Sequence, residues 1–145
     1  MDIEFIREWF ERAEQCNDDI DKFICYYIAF NHLYGAEVDY EAKKVGELDL
    51  IHKCVRKYMQ QGYNPYEYIS SESELMKGVQ SQRYKSKKTR ATRLRRLDIK
   101  ELFTSIYYVR CNLFHGAKSM SNDRNIELIK DSWPILRTLL LLVVE

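Results

Sequence analysis

The chain has 145 residues, 46% of them apolar and 31% charged, the length and balance of one globular domain able to close a hydrophobic core. Only five glycines and two prolines are present, which leaves too little turn chemistry for a many-stranded β fold and favours long helices with short connections. The near-zero formal charge of +1 hides an asymmetry: eight basic and no acidic residues lie between Arg83 and Arg96, and the remainder holds fifteen basic against 22 acidic side chains, a balance of −7.

In chain order, Asp2 is placed to cap a first helix whose apolar residues Phe5, Ile6, Trp9, Phe10 and Ala13 recur at three- and four-residue spacing. Asn17, Asp18 and Asp19 break that pattern and supply the next cap. From Phe23 to Tyr34 the chain is apolar nearly all round, the mark of a helix at the centre of a bundle, and Gly35 is expected to end it as a C-terminal glycine. A third helix is expected from about Glu41 to Gln61, with Val45, Leu48, Ile51, Val55 and Tyr58 as its stripe and Gly62 closing it. Residues 63–73 read as a loop, followed by a short helix through Glu74 to Val79.

The basic segment comes next: Arg83, Lys85, Lys87, Lys88, Arg90, Arg93, Arg95 and Arg96, with Tyr84 among them. It has almost no core-facing residues before Leu94, so it reads as an arm or as a helix that orders on a partner, and a phosphate polymer is the natural partner for its charge. A solvated arm is the plainer alternative. Asp98 and Glu101 form a capping-box pattern opening a helix with Leu102, Ile106, Val109 and Leu113 on one stripe and Gly116 past its end. The last helical region covers about Asn122 to Val144, and Pro134 is expected to interrupt it or to restart it with Asp131 or Ser132 as cap.

These elements define an all-α fold, an up-and-down bundle of about five to six helices forming a single domain over residues 1–145. The longest apolar run, Leu139 to Val144, is far short of the roughly 18 residues that cross a bilayer, so no membrane is implied. No secretory signal is visible after Met1, and Cys16, Cys25, Cys54 and Cys111 show no paired spacing. They read as reduced core or near-core residues in a cytoplasmic setting. His32 and His52 lie on helices without ligand partners at metal spacing and read as structural, and no metal or other cofactor is implied. Asn31, in the apolar second helix, either satisfies buried backbone or supports the site.

The sharpest chemical signal is Arg110-Cys111-Asn112-Leu113-Phe114-His115-Gly116, three polar side chains in an otherwise apolar helix just before a glycine stop. Arg110 can fork onto a phosphate, His115 titrates near neutrality and can exchange a proton with a ribose hydroxyl, and Asn112 can hold either group in place. At about 100° per residue, Asn112 and His115 share a face while Arg110 lies roughly 140° from His115. Two such helices meeting at a two-fold axis could interleave all three groups in one cleft. The structural alternative is Arg110 paired with a core-edge carboxylate and His115 capping the helix C-terminus.

This segment resembles the R-x4–6-H motif of HEPN domains, placed as that family places it near the end of the penultimate long helix. Phe30-Asn31-His32-Leu33-Tyr34-Gly35, ending the second helix, is similar to small stand-alone or Apea-like HEPN proteins. The resemblance implies a HEPN-like bundle and a metal-independent, homodimeric endoribonuclease in prokaryotic defence or stress response, with Arg110, Asn112 and His115 in the cleft. It further implies attack by the ribose 2′-hydroxyl on the adjacent phosphodiester, leaving a cyclic phosphate and a free 5′-hydroxyl. Two positions depart from the family pattern. The residue after the Arg, often polar, is Cys111, and the Tyr carried two positions after the His by toxins silenced by a partner nucleotidyltransferase is here Ala117. A regulatory protein partner of that kind is correspondingly disfavoured. The competing expectation is a non-catalytic helical module that binds RNA, nucleotide or a protein partner.

Overall fold

The computed structural model describes residues 1–38, 45–68, 99–114 and 123–145. Among these the chain is all-helical: α1 (Ile3–Gln15), α2 (Asp19–Gly35), α3 (Glu47–Met59), a 3-10 turn (Pro65–Tyr68), α4 (Ile99–Phe114) and α5 (Asp123–Val144). No described helix is long and apolar enough to cross a membrane.

Local chemistry starts the first two helices where the caps predict. The Asp2 carboxylate accepts from the Phe5 amide, and that of Asp18 accepts from the amides of Ile20 and Asp21. Three residues between α1 and α2 force a tight hairpin. Accordingly Lys22 Nζ donates to the Ala13 carbonyl at 3.1 Å, Tyr26 donates to Glu14, and Phe5 lies 4.5 Å from the ring of His32. The two helices therefore run antiparallel. Arg7 donates to the Val144 carbonyl and Arg137 to Glu14, which sets α5 antiparallel to α1 and parallel to α2.

The apolar girth of α2 places it at the centre. Phe23, Tyr26, Tyr27, Phe30, Leu33 and Tyr34 are all buried, and the helix touches α1, α3 and α5 while Phe30 meets Phe103 of α4 at 5.9 Å. Each of these large side chains removed from water contributes about 1.5–3 kcal/mol before entropy is set against it. Tyr26 stacks on Trp133 of α5 at 5.9 Å, and the indole Nε1 donates to Asp19 at 2.9 Å. Phe30–Phe103 together with Tyr27–Arg110 shows α4 antiparallel to α2.

Three expectations need correction or narrowing. α5 is unbroken through Pro134. A proline removes one helical hydrogen bond and crowds the preceding turn, but Ile135, Leu136, Leu139 and Leu140 are fully buried beyond it and Ile129 and Ser132 are buried before it, so tertiary packing overrides the local preference. The regular part of α3 starts at Glu47, and Val45 lies exposed ahead of it rather than on the stripe; residues 39–44 lie outside the described set. Gly35 ends α2 without a left-handed turn. The chain leaves through successive short-range bonds, Ala36 to Leu33, Glu37 to Tyr34 and Val38 to Gly35. Gly62 does take the left-handed conformation, at φ 100°, and lets the Tyr63 amide return to the Tyr58 carbonyl at 3.0 Å. The expected helix over Glu74 to Val79 and the Asp98 cap lie outside the described residues.

Candidate functional site

Arg110 projects from α4 toward α2, not into open solvent. Its guanidinium carbon lies 5.6 Å from the centre of the Tyr27 ring, 6.0 Å from Tyr107 and 5.2 Å from Phe114. Rings at such distances attract a cation through their electron-rich faces. Nη1 points at the Cys111 thiol at 3.9 Å, while Nε is buried with no hydrogen-bond partner. Among the described residues no carboxylate forms an ion pair with it. Burial works against its charge, but the Cys111 thiol and the acidic groups Tyr27, Glu47 and Tyr34 outweigh it and hold the guanidinium above its ordinary pKa. The group is a permanent cation, half-buried and aromatic-walled, with no ion pair among the described residues.

Beside it runs a chain of phenols ending on one carboxylate. Tyr34, the penultimate residue of α2, donates to Glu47 Oε1. Tyr107 of α4 donates to Glu47 Oε2 at 3.3 Å. The hydroxyls of Tyr27 and Tyr34 stand 3.4 Å apart. Burial pushes both of these phenols up, and for Tyr34 the neighbouring Tyr27 and Glu47 add to it. Tyr107 is pushed up to about 12 by its hydrogen bond to Cys111, by burial and by Glu47. All these phenols are neutral donors near pH 7.

Asn112 is half-buried on α4, two positions beyond Arg110. His115, the third residue of the predicted site, lies outside the described residues, as do the basic residues Arg83, Lys85, Lys87, Lys88, Arg90, Arg93, Arg95 and Arg96. The structure therefore places Arg110 and Asn112 on one helix. Tyr108 and Phe114, on the same helical turns, expose 49% and 45% of their surface.

The other histidines sit elsewhere. His52 of α3 is 5% exposed and its Nε2 lies 3.1 Å from the Lys100 carbonyl and 3.2 Å from the Thr104 hydroxyl. Burial and the nearby Lys100 hold it below its ordinary pKa. His32 accepts the Asp2 amide at 3.3 Å and packs on Phe5. Asn31 is exposed, not buried. With Met1, Asp2, His32, Gly35 and Ala36 it lines an open depression of about 620 Å³. Cys54 is buried and the other three cysteines are half-buried free thiols. No described group of His, Cys, Asp or Glu side chains could hold a metal ion.

Sequence reasoning missed Glu47 and its tyrosines. A glutamate in the first turn of a helix ordinarily reads as a dipole-compensating surface charge, and its partners lie 13 and 60 residues away. No local spacing announces the cluster. In the comparisons with known proteins, no family model, curated protein or solved structure matches this chain.

Proposed function

We propose that this chain is an RNA-cleaving domain of the HEPN kind, acting as a homodimer without a metal. In this reading Arg110 and its symmetry mate stabilise charge on the phosphorane formed when a ribose 2′-hydroxyl attacks its own phosphodiester, His115 moves the protons, and Asn112 orients the phosphate or the imidazole. The observation that carries the reading is the state of Arg110. It is held against aromatic rings with no ion pair among the described residues, five residues before a histidine, at the end of a helix that also exposes Tyr108 and Phe114. An arginine with only a structural duty more often ends on a carboxylate, because an unpaired half-buried cation is costly. The exposed ring of Tyr108 suits a face on which a second copy of α4 packs. A prokaryotic defence or stress role in the cytoplasm belongs to the same reading.

The test is RNA cleavage by purified protein in EDTA, comparing wild type with Arg110→Ala and His115→Ala. Both variants keep the helical circular-dichroism spectrum and lose cleavage. Cleavage that survives both changes, or that needs Mg2+, overturns the reading.

The basic run favours a second reading, a helical module that binds RNA through Arg83 to Arg96 and cuts nothing. It predicts binding that weakens steeply with salt, is lost when the run is neutralised and ignores His115→Ala.

A further inference from the structure

Glu47 opens α3 where three helices meet, and it does not pair with the cation beside it. Both of its oxygens are taken by phenols, Oε1 by Tyr34 of α2 and Oε2 by Tyr107 of α4. Tyr107 is one of the rings flanking Arg110, at 6.0 Å, and Tyr27 is another, at 5.6 Å. The hydroxyl of Tyr27 lies 3.4 Å from that of Tyr34. One carboxylate thus fixes both tyrosine walls of the guanidinium, directly on one side and through a second phenol on the other. A carboxylate suits this task because it accepts from two hydroxyls at once, whereas an amide offers one acceptor oxygen and turns an NH2 toward the other phenol.

The arrangement resolves a physical conflict. A half-buried arginine needs nearby negative charge to offset its desolvation, but a direct ion pair would occupy the donors that a phosphate must reach. Glu47 supplies the charge at a distance, where it still favours the guanidinium, while its own lone pairs are engaged elsewhere. We infer that Glu47, acting through Tyr34 and Tyr107, is the positioning residue for Arg110: it clamps the aromatic walls that aim the guanidinium at an RNA phosphate without itself taking any of the guanidinium donors. The inference rests on Arg110 being the phosphate-binding group proposed above.

Two variants and two readouts test it. The Nε–H NMR signal of Arg110, identified by its disappearance in Arg110→Ala, reports the order of the guanidinium without reference to activity. In Glu47→Gln, and less strongly in Tyr107→Phe, this signal shifts and its exchange with water speeds up. In the same variants kcat for RNA cleavage falls about tenfold for Glu47→Gln, with KM changed less than about twofold, because aim rather than substrate capture is lost. An unaltered Arg110 signal in both folded variants overturns the inference, as does an unaltered kcat. If Glu47→Gln fails to fold, Tyr107→Phe decides, since it removes one hydroxyl from a half-buried ring. If wild-type protein cuts no RNA, the catalytic reading of Arg110 falls, and the NMR signal alone decides whether Glu47 positions it.

Discussion

Tyr27 and Arg110 meet across the α2–α4 contact with the guanidinium carbon 5.6 Å above the phenol ring. The ring belongs to the buried core, 1% exposed, while the arginine reaches it from the last turns of a helix whose outer side faces water. A core aromatic thus serves as the floor of a cationic site. Replacing the arginine separates shape from charge. Arg110→Lys keeps a cation but loses the planar fork and the stacking surface. Circular dichroism is expected to be unchanged and RNA cleavage to fall by about 100-fold or more, the loss typical of a misplaced oxyanion donor. A lysine variant that cuts as fast as wild type would mean that a point charge suffices.

The second prediction concerns acid. Burial and Lys100 keep the His52 imidazole below its ordinary value of 6.5, so the folded state binds fewer protons than the unfolded state once the pH drops below that value. Stability is full at neutral pH and is lost as the pH falls from 6.5 toward the lower folded-state value. Thermal melts of wild type at about pH 7.5 and about pH 5.5 should show a fall in Tm that is smaller in His52→Gln. Equal falls in the two proteins would show that His52 does not carry the acid sensitivity.

Tyr63, 5% exposed, donates its hydroxyl to the Ile135 carbonyl at 3.0 Å and so ties the segment after α3 to α5. Tyr63→Phe removes that bond with little change in packing. The Thr138 hydroxyl also reaches this carbonyl, at 2.9 Å, so the acceptor is not orphaned. Urea denaturation should show a loss of about 1 kcal/mol with an unchanged m-value.

Pro134 yields a prediction of opposite sign. Inside an unbroken α5 it supplies no amide to the Lys130 carbonyl. Pro134→Ala restores that bond and should raise stability by about 1–3 kcal/mol in the same denaturation experiment. A lower midpoint would show that the ring's packing, or its restriction of the unfolded chain, outweighs the missing bond.

How far the sequence could be read differs by element. Both α1 and α2 were legible because their signals are local: Asp2 and Asp18 cap within three residues, and the all-round apolar pattern from Phe23 to Tyr34 demands a central position. Leu102, Ile106 and Val109 of the α4 stripe are likewise buried as their spacing predicts, while Leu113 is half-buried. Legibility failed where distant contacts decide. Pro134 is kept helical by leucines packed against other helices. Val45 fits the helical spacing yet falls before the first turn. Of the site, Arg110 could be singled out as a polar residue in an apolar helix, but its aromatic walls and the Glu47 cluster exist only once α2, α3 and α4 are assembled.

The continuity of α5 also bears on the order in which the molecule assembles. A helix with a proline at its middle is poorly nucleated as a free segment, so residues on either side of Pro134 gain their regular conformation chiefly from the wall formed by Tyr26 and its neighbours. Docking and coiling of this segment are then expected to be coupled, with the α1–α2 hairpin supplying the surface on which the helix is completed.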